Sequence, residues 1–376
     1  MATSPTFGRA CRQARRLAAI AAMALLGVST GATPAAHGAP AAPALPAQAG
    51  PSAPTGVRFL DDVFDEVEVT SDVPYREAVN ASGDLQTLHM EIYEPAGDTA
   101  ERRPVVMLMH GGFFVIGNHK DDRWGAGPRF AEAFALKGFV AVSIQYRLRP
   151  DMGFFPNVEL TELEAANLDA YDDSVAAVEW LRDHADELRI DPRAIVANGP
   201  SAGGSMAWNL AWMQGSALRP EPSGVAAAVS VSGAPFETTV GTGEPLAAAS
   251  PGDRPVIAFH GTADGIVAFE LAAGPCGRAA VAGVRCDLVP YEGIGHPAID
   301  PRFVNLFDDI ERRTVEFIAE VVLAPLGYLD QAPADPPTVP TAPTAPTAPT
   351  APSQSPPGPA QALPAQPVVA EPTFTG

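Results

Sequence analysis

The stretch that decides this fold is Gly199-Pro200-Ser201-Ala202-Gly203. It follows the apolar run 194–197 and precedes a helix-like stretch at 206–213, so the predicted order is strand, sharp turn, helix. Such a strained turn exposes the hydroxyl of its central serine, and its glycines are needed because the strand and helix backbones approach too closely for a β-carbon. Ser201 is therefore the candidate nucleophile; a serine in an ordinary turn is the alternative.

Asp264 and His296 each stand just after a later apolar run. Asp264 follows residues 255–259, and His296 follows residues 286–291. Because the carboxyl ends of parallel strands meet at one edge of a sheet, this order of serine, acid and histidine predicts that the three side chains converge. The imidazole would take the Ser201 proton and return it to a leaving alcohol, while Asp264 would hold the imidazole tautomer.

Three other aspartates are alternatives for the acid. Asp253 precedes a predicted strand, Asp287 falls inside one, and Asp300 comes after His296. Asp264 is preferred because it lies on a loop at the carboxyl end of a strand. His296 could itself be a surface histidine of a Gly-Pro loop, but its position after the last strand favours a base.

The apolar run 105–109 leads into His110-Gly111-Gly112-Phe113, where the amides of an oxyanion hole are expected. The predicted donors are the amides of Ala202 and of Gly112 or Phe113, with Gly111 as a further candidate. The glycines beside His110 favour a role in shaping the loop over a role as a second base.

Four aromatic residues could line an acyl or alcohol pocket, although core packing is their commoner role: Phe113, Phe114, Phe154 and Phe155.

Two polar clusters are candidate cation sites. The spacing of His119-Lys120-Asp121-Asp122 could bind a cation, but a solvated polar loop is preferred. Asp172-Asp173, on a long predicted helix, is interpreted as a solvated face or a helix-to-loop pairing. The sequence therefore predicts no metal and no cofactor.

Residues 57–330 alternate apolar strand-like runs with amphipathic helix-like runs, which predicts an α/β fold: a mostly parallel sheet with helices on both faces. The first two strands contain interspersed polar residues and are expected to be antiparallel edge strands. The predicted strands are Val63 to Thr70, Leu88 to Tyr93, Val105 to Met109, Val140 to Tyr146, Ala194 to Asn198, Ala226 to Ser232, Val256 to Phe259 and Asp287 to Tyr291. The predicted helices include Arg129 to Lys137, Glu162 to His184, Gly204 to Gln214 and Phe303 to Val322.

Residues 1–39 have the pattern of a secretory signal peptide, with four arginines, the apolar run 17–28 and small residues up to Ala39. An uncleaved anchor helix is the alternative, although the apolar run is short for a membrane span.

Cleavage near Ala39 would change the net charge from -20 to -24. This acidity disfavours nucleic acid and anionic lipid as partners. A secreted or cell-envelope location is expected.

Cys276 and Cys286 are the only cysteines beyond the predicted signal, and in an exported chain they are expected to form one disulfide. Two free thiols are the alternative.

A leader at 40–56 is rich in Ala and Pro, and a tail at 331–376 is rich in Thr, Ala and Pro. Proline at every third position of the tail favours an extended chain without a core. The tail could be a plain spacer or hold the protein at a cell wall, and no stable protein partner is implied.

With these residues placed, residues 85–325 resemble the α/β-hydrolase superfamily, and within it the hormone-sensitive-lipase-like and carboxylesterase group. The likeness is carried by His110-Gly111-Gly112-Phe113, by Gln145-Tyr146-Arg147-Leu148, and by Ile190-Asp191-Pro192 leading to Gly199-Pro200-Ser201-Ala202-Gly203-Gly204. It implies a serine esterase that needs no cofactor and acts on a small or polymeric ester.

Two departures from the group's pattern bear on the substrate. Pro200 replaces the usual acidic residue, which removes a charge and a backbone donor beside the serine. Only 63 positions separate Ser201 from Asp264, so little or no cap and a shallow site are expected. This shortness is similar to secreted polyester depolymerases and feruloyl esterases, which gives a first alternative: a depolymerase or a feruloyl- or acetyl-type polysaccharide esterase. The second is a non-catalytic exported surface protein on the same fold.

Overall fold

The computed structural model describes residues 56–330, except 121–126, 155–156, 214–220, 241–242, 244–245 and 298–299. The predicted signal peptide 1–39, nearly all of the leader 40–56 and the tail 331–376 lie outside the described residues. Within them, none of the helices is both long enough and apolar enough to cross a bilayer.

In the part of the chain that the structure describes, eight strands form one sheet: β1 (Val67–Val79), β2 (Leu85–Pro95), β3 (Arg103–Met109), β4 (Val140–Ile144), β5 (Ile190–Pro200), β6 (Ala227–Val231), β7 (Val256–Gly261) and β8 (Cys286–Tyr291). Their order is β1-β2-β4-β3-β5-β6-β7-β8. The pairs β1–β2 and β2–β4 are antiparallel, and the other pairs are parallel. The predicted mostly parallel sheet is confirmed. The prediction that β2 is an edge strand is wrong, because β2 lies between β1 and β4.

Among the described residues, five α-helices accompany the sheet: α1 (Pro128–Leu136), α2 (Leu160–Asp183), α3 (Ala202–Trp212), α4 (Glu270–Ala279) and α5 (Phe307–Ile318). The last predicted helix is one 3₁₀ turn, Pro301–Leu306, followed by α5 and a π-helical turn, Ala319–Leu323. The sequence did not predict α4, because Gly274, Pro275 and Gly277 disfavour a helix. Burial of its Ala272, Cys276 and Ala279 overrides that preference.

Helices cover both faces of the sheet. On β3, Val105, Met107 and Met109 belong to the core beneath α2, α3 and α4, while Val106 and Leu108 belong to the core beneath α1 and α5. A strand buried on both faces needs apolar residues at every position, which explains why the central strands are continuous apolar runs.

Two features bear on the space around the site. The described residues between β6 and β7 contain no helix. The predicted disulfide is present: it joins Cys276 of α4 to Cys286 of β8, with a Cα–Cα distance of 5.3 Å. The bridge lies between Asp264 and His296 along the chain and constrains the segment that separates them.

Candidate active site

Ser201 occupies the turn between β5 and α3 in a strained left-handed conformation, with φ 52° and ψ -117°. Its amide donates a hydrogen bond to the Val231 carbonyl at the end of β6, at 2.8 Å. A β-carbon at Gly203 would lie 2.0 Å from the Met109 carbonyl oxygen, and one at Gly199 would lie 2.5 Å from it. Both glycines therefore allow the turn to pack against the end of β3.

Gly203→Ala is expected to destabilise the protein by about 3 kcal/mol or more, because the new methyl group would collide with the rigid Met109 carbonyl. The measurement is the free energy of unfolding in urea. The matched control is Gly277→Ala within α4, where a β-carbon would meet no heavy atom within 4 Å and alanine favours the helix by up to about 1 kcal/mol. Equal unfolding midpoints for the two variants would contradict the packing described for the turn.

The structure brings Ser201, His296 and Asp264 into one hydrogen-bonded chain. His296 Nε2 lies 2.9 Å from Ser201 Oγ, and His296 Nδ1 lies 2.7 Å from Asp264 Oδ2. The imidazole and the carboxylate are buried, while Ser201 is partly exposed. With the proton on Nδ1, the imidazole donates to the carboxylate, and Nε2 is free to accept the serine proton.

Asp264 is held from both sides. Its Oδ1 accepts from the amides of Ile266 and Val267, each at 2.9 Å. Burial raises the pKa of this carboxyl group, but the hydrogen bond and charge of His296, together with the two amides, outweigh burial, so the net pKa is lowered. The group is therefore a carboxylate at neutral pH.

His260 is a buried neighbour that the sequence reasoning did not identify as part of the site. Its Nε2 donates to the Val267 carbonyl at 2.9 Å and lies 3.5 Å from Asp264 Oδ2. Burial lowers the pKa of His260, so the ring is neutral and supports the loop that holds Asp264. The sequence feature that could have identified His260 is its position in β7, four residues before Asp264.

Among the described residues, none of the three alternative carboxylates bonds to the His296 ring, although the Asp300 amide donates to the His296 carbonyl at 2.8 Å. Each carboxylate has another partner: the Ser250 amide for Asp253, Arg285 for Asp287, and the Gly295 amide for Asp300. Asp300 fixes the turn that precedes His296.

The loop after β3 folds back on itself. Gly112 has φ 116°, and its carbonyl accepts from the amides of Val115 and Ile116, each at 3.1 Å. Among the described residues, no acceptor faces the amides of Gly111, Gly112 or Phe113 at hydrogen-bond distance, so these donors are available to a ligand. The Ala202 amide is at the first position of α3, where the helix dipole concentrates positive charge.

His110 shapes this loop, as the sequence suggests. Its Nδ1 donates to the Gly111 carbonyl at 2.7 Å, and its ring stacks on Tyr146 with 4.1 Å between ring centroids. The Tyr146 hydroxyl donates to the His110 carbonyl at 2.8 Å. A β-carbon at Gly117 would lie 2.4 Å from His110 Nδ1, so a glycine is required there.

The four phenylalanines considered as pocket walls separate into groups. Phe114 is buried in the core, and Phe155 lies outside the described residues. Phe113 and Phe154 form a stacked pair with 5.9 Å between centroids, and Phe154 is half exposed. Of the three described phenylalanines, this pair stays a candidate for contact with a ligand.

One described residue of each polar cluster is buried rather than solvated. Asp173 is fully buried and accepts from the backbone and side chain of Arg147, which confirms a helix-to-loop pairing for this residue. The prediction of a solvated loop is wrong for His119, which is buried beside Asp72 and Glu91. Asp121 and Asp122 lie outside the described residues.

One family model and one solved esterase structure are similar to this chain. The family model described as BD-FAE matches residues 90–221. The structure of Thermogutta terrifontis esterase 2 phosphorylated by paraoxon is 31% identical, with a TM-score of 0.53, over 71% of this chain and 96% of that one.

Curated relatives share shorter segments. Carboxylesterase 1E of Rattus norvegicus is 33% identical over 35% of this chain and 22% of its own length. The non-reducing polyketide synthase trt4 of Aspergillus terreus is 35% identical over 32% of this chain and 5% of its own length. The matches therefore span less than a quarter of these two curated relatives.

Proposed function

Since this chain belongs to the carboxylesterase group of the α/β-hydrolases, we propose that it is an exported serine esterase that cleaves carboxylic esters through an acyl-enzyme intermediate. The observation that carries the proposal is the hydrogen-bonded chain from Ser201 Oγ through His296 to the Asp264 carboxylate. A serine hydroxyl is a weak nucleophile until an adjacent base removes its proton, and His296 is the base in this hydrogen-bonded arrangement.

In the acylation half, Ser201 Oγ attacks the ester carbonyl carbon while its proton moves to His296 Nε2. The carbonyl oxygen becomes an oxyanion, which the amides of Ala202 and of Gly112 or Phe113 stabilise. The tetrahedral intermediate then collapses. The bond to the alkoxy group breaks, and His296 returns the proton to the leaving alcohol.

In the deacylation half, a water molecule takes the place of the alcohol. His296 Nε2 accepts a proton from the water as its oxygen attacks the acyl carbon, and then gives the proton to Ser201 Oγ as the acid leaves. Asp264 remains a carboxylate throughout and stabilises the imidazolium, in keeping with its lowered pKa.

A fluorophosphonate probe tests this proposal against a non-catalytic protein on the same fold. The related esterase is recorded as phosphorylated by paraoxon, so we expect an organophosphorus probe to label the present chain as well. One label per folded chain on the peptide that contains Ser201 is expected, measured by mass spectrometry. A short soluble ester should slow labelling by competition, and urea-unfolded protein should not react. Folded protein that stays unlabelled would favour the non-catalytic alternative.

A second candidate within the same chemistry is an esterase that acts on polymers: a polyester depolymerase, or a feruloyl- or acetyl-type polysaccharide esterase. The match to the BD-FAE model and the absence of a helix between β6 and β7 in the described residues favour it. A shallow site admits a chain that is bound along its length. Rates on a polymer and on a matched soluble ester distinguish the two candidates.

Export is part of the proposal. It is supported by the four arginines and apolar run within residues 1–39, and by a disulfide of the kind that persists in oxidising compartments. The tail 331–376 would then extend from the catalytic domain as a spacer, with association to a cell wall as one use for it.

A further inference from the structure

A polar cluster outside the serine site joins the first two strands to the end of the oxyanion loop. It consists of Asp72, Glu91 and His119, with Lys120 at its edge. Asp72 lies at an irregularity of β1 with φ 55°, Glu91 lies on β2, and His119 follows the loop after β3. Three segments remote in sequence thus bring an imidazole and two carboxylates together.

His119 is the unusual member of the cluster, because its residue is only 7% exposed and neither ring nitrogen has a hydrogen-bond partner among the described residues. A buried polar atom without a partner is costly, and one explanation for such an atom is a bound ion. The ring faces the carboxylates: Nε2 lies 3.5 Å from Asp72 Oδ1 and 3.7 Å from Glu91 Oε1.

These spacings suit a tetrahedral metal ion. The three ligand atoms lie within 4.8 Å of one another. At zinc–ligand bonds of about 2.0–2.2 Å, ligand atoms of a tetrahedron lie roughly 3.3–3.6 Å apart. Glu91 is also oriented as ligands usually are, since its two oxygens accept from Ser71 Oγ and from the Asp72 amide, each at 2.8 Å.

We propose that Asp72, Glu91 and His119 bind one Zn²⁺ ion, with water as the fourth ligand. An imidazole nitrogen favours a transition ion over Ca²⁺ or Mg²⁺, which prefer oxygen ligands. The two carboxylates balance the charge of the ion.

Lys120 is the competing cation at this site. Its ammonium lies 2.7 Å from Asp72 Oδ2 and 3.5 Å from Glu91 Oε1. The single positive charge of Lys120 neutralises only one of the two carboxylate charges. Its ammonium group also cannot accept a hydrogen bond from the His119 ring. The side chain is 46% exposed and pairs most closely with the Asp72 oxygen that does not face the ring, so it can withdraw when Zn²⁺ binds.

The role of the ion would be structural. The His119 carbonyl accepts from Ser143 Oγ on β4 at 2.7 Å, and Gly117, two residues earlier, packs on the His110 ring. An ion held by β1 and β2 would therefore fix the end of the loop whose start supplies the oxyanion amides. The sequence alone predicted no metal, because the three ligands are separated by many residues.

The test is calorimetric titration of the full-length, chelator-treated protein with Zn²⁺ alone, followed by thermal unfolding. One saturable Zn²⁺ per chain and a rise in Tm are expected. His119→Ala should weaken binding at least about tenfold and remove the rise in Tm. Asp72→Asn should weaken binding similarly, and its exposed position makes folding of this variant secure.

Two control variants separate this site from chance binding. His184→Ala removes a histidine whose Nδ1 bonds to Trp180 within α2 and its cap, and it should bind Zn²⁺ like the wild type. Lys120→Ala should bind at least as tightly as the wild type, because a competing charge is gone. The proposal is overturned if the wild type shows no saturable binding, if Asp72→Asn binds unchanged, if Lys120→Ala loses binding, or if Ca²⁺ binds as tightly as Zn²⁺. None of these readouts depends on esterase activity.

Discussion

Ser201→Ala is expected to lower kcat/KM for short p-nitrophenyl esters by about 10⁴-fold or more, since the variant has no oxygen to form the acyl-enzyme. The fold should be unchanged, because alanine fits the same turn and, among the described residues, the serine side chain bonds only to His296 Nε2. Steady-state kinetics measure the loss, and circular dichroism checks the fold. Turnover like that of the wild type would refute the assignment of the nucleophile.

Ser232→Ala is the matched control for this change. Ser232 lies just beyond β6, next to β5 in the sheet, and has a left-handed φ of 53°, close to the 52° of Ser201. It is fully buried, and its hydroxyl bonds to no histidine among the described residues. The control variant should keep kcat/KM within a few fold, so a loss shared by both variants would indicate damage to the sheet rather than to the chemistry.

The sequence predicted the centre of the sheet well because β3 to β7 are buried on both faces and so appear as apolar runs. It predicted β1 poorly. The run Val63 to Thr70 was predicted, whereas the strand is Val67–Val79, because this edge strand alternates polar and apolar residues and contains irregular pairing. The position of β2 inside the sheet depends on its pairing with β4, which local pattern does not reveal.

The same contrast applies to the sites. The sequence predicts that Ser201, Asp264 and His296 converge because each follows a recognisable strand and parallel strands end at one edge, and the structure brings the three side chains together. His260 was missed because its role depends on the fold of residues 264–267 around Asp264. The partners of His119 come from β1 and β2, so no spacing in the sequence could have linked them to it.

Asp264→Asn is expected to lower kcat by about 10³- to 10⁴-fold with little change in KM. The amides of Ile266 and Val267 both donate to Oδ1, so the asparagine oxygen should take that position and its NH₂ group should face His296. The NH₂ group would donate to Nδ1 and force the imidazole proton onto Nε2. That tautomer cannot accept the proton of Ser201, so the nucleophile is not activated.

Asp287→Asn separates this mechanism from a general effect of removing one carboxylate charge from the protein. Asp287 lies on β8, nine residues before His296, and its carboxylate pairs with Arg285. Its amide variant should keep kcat within a few fold, while Asp264→Asn should bind substrate normally and turn it over slowly. If Asp264→Asn loses less than about tenfold, or Asp287→Asn loses as much, then Asp264 does not control the imidazole tautomer. Pre-steady-state kinetics add a check, because a wrong tautomer should slow both acylation and deacylation, whereas damage to one step alone would slow only that step.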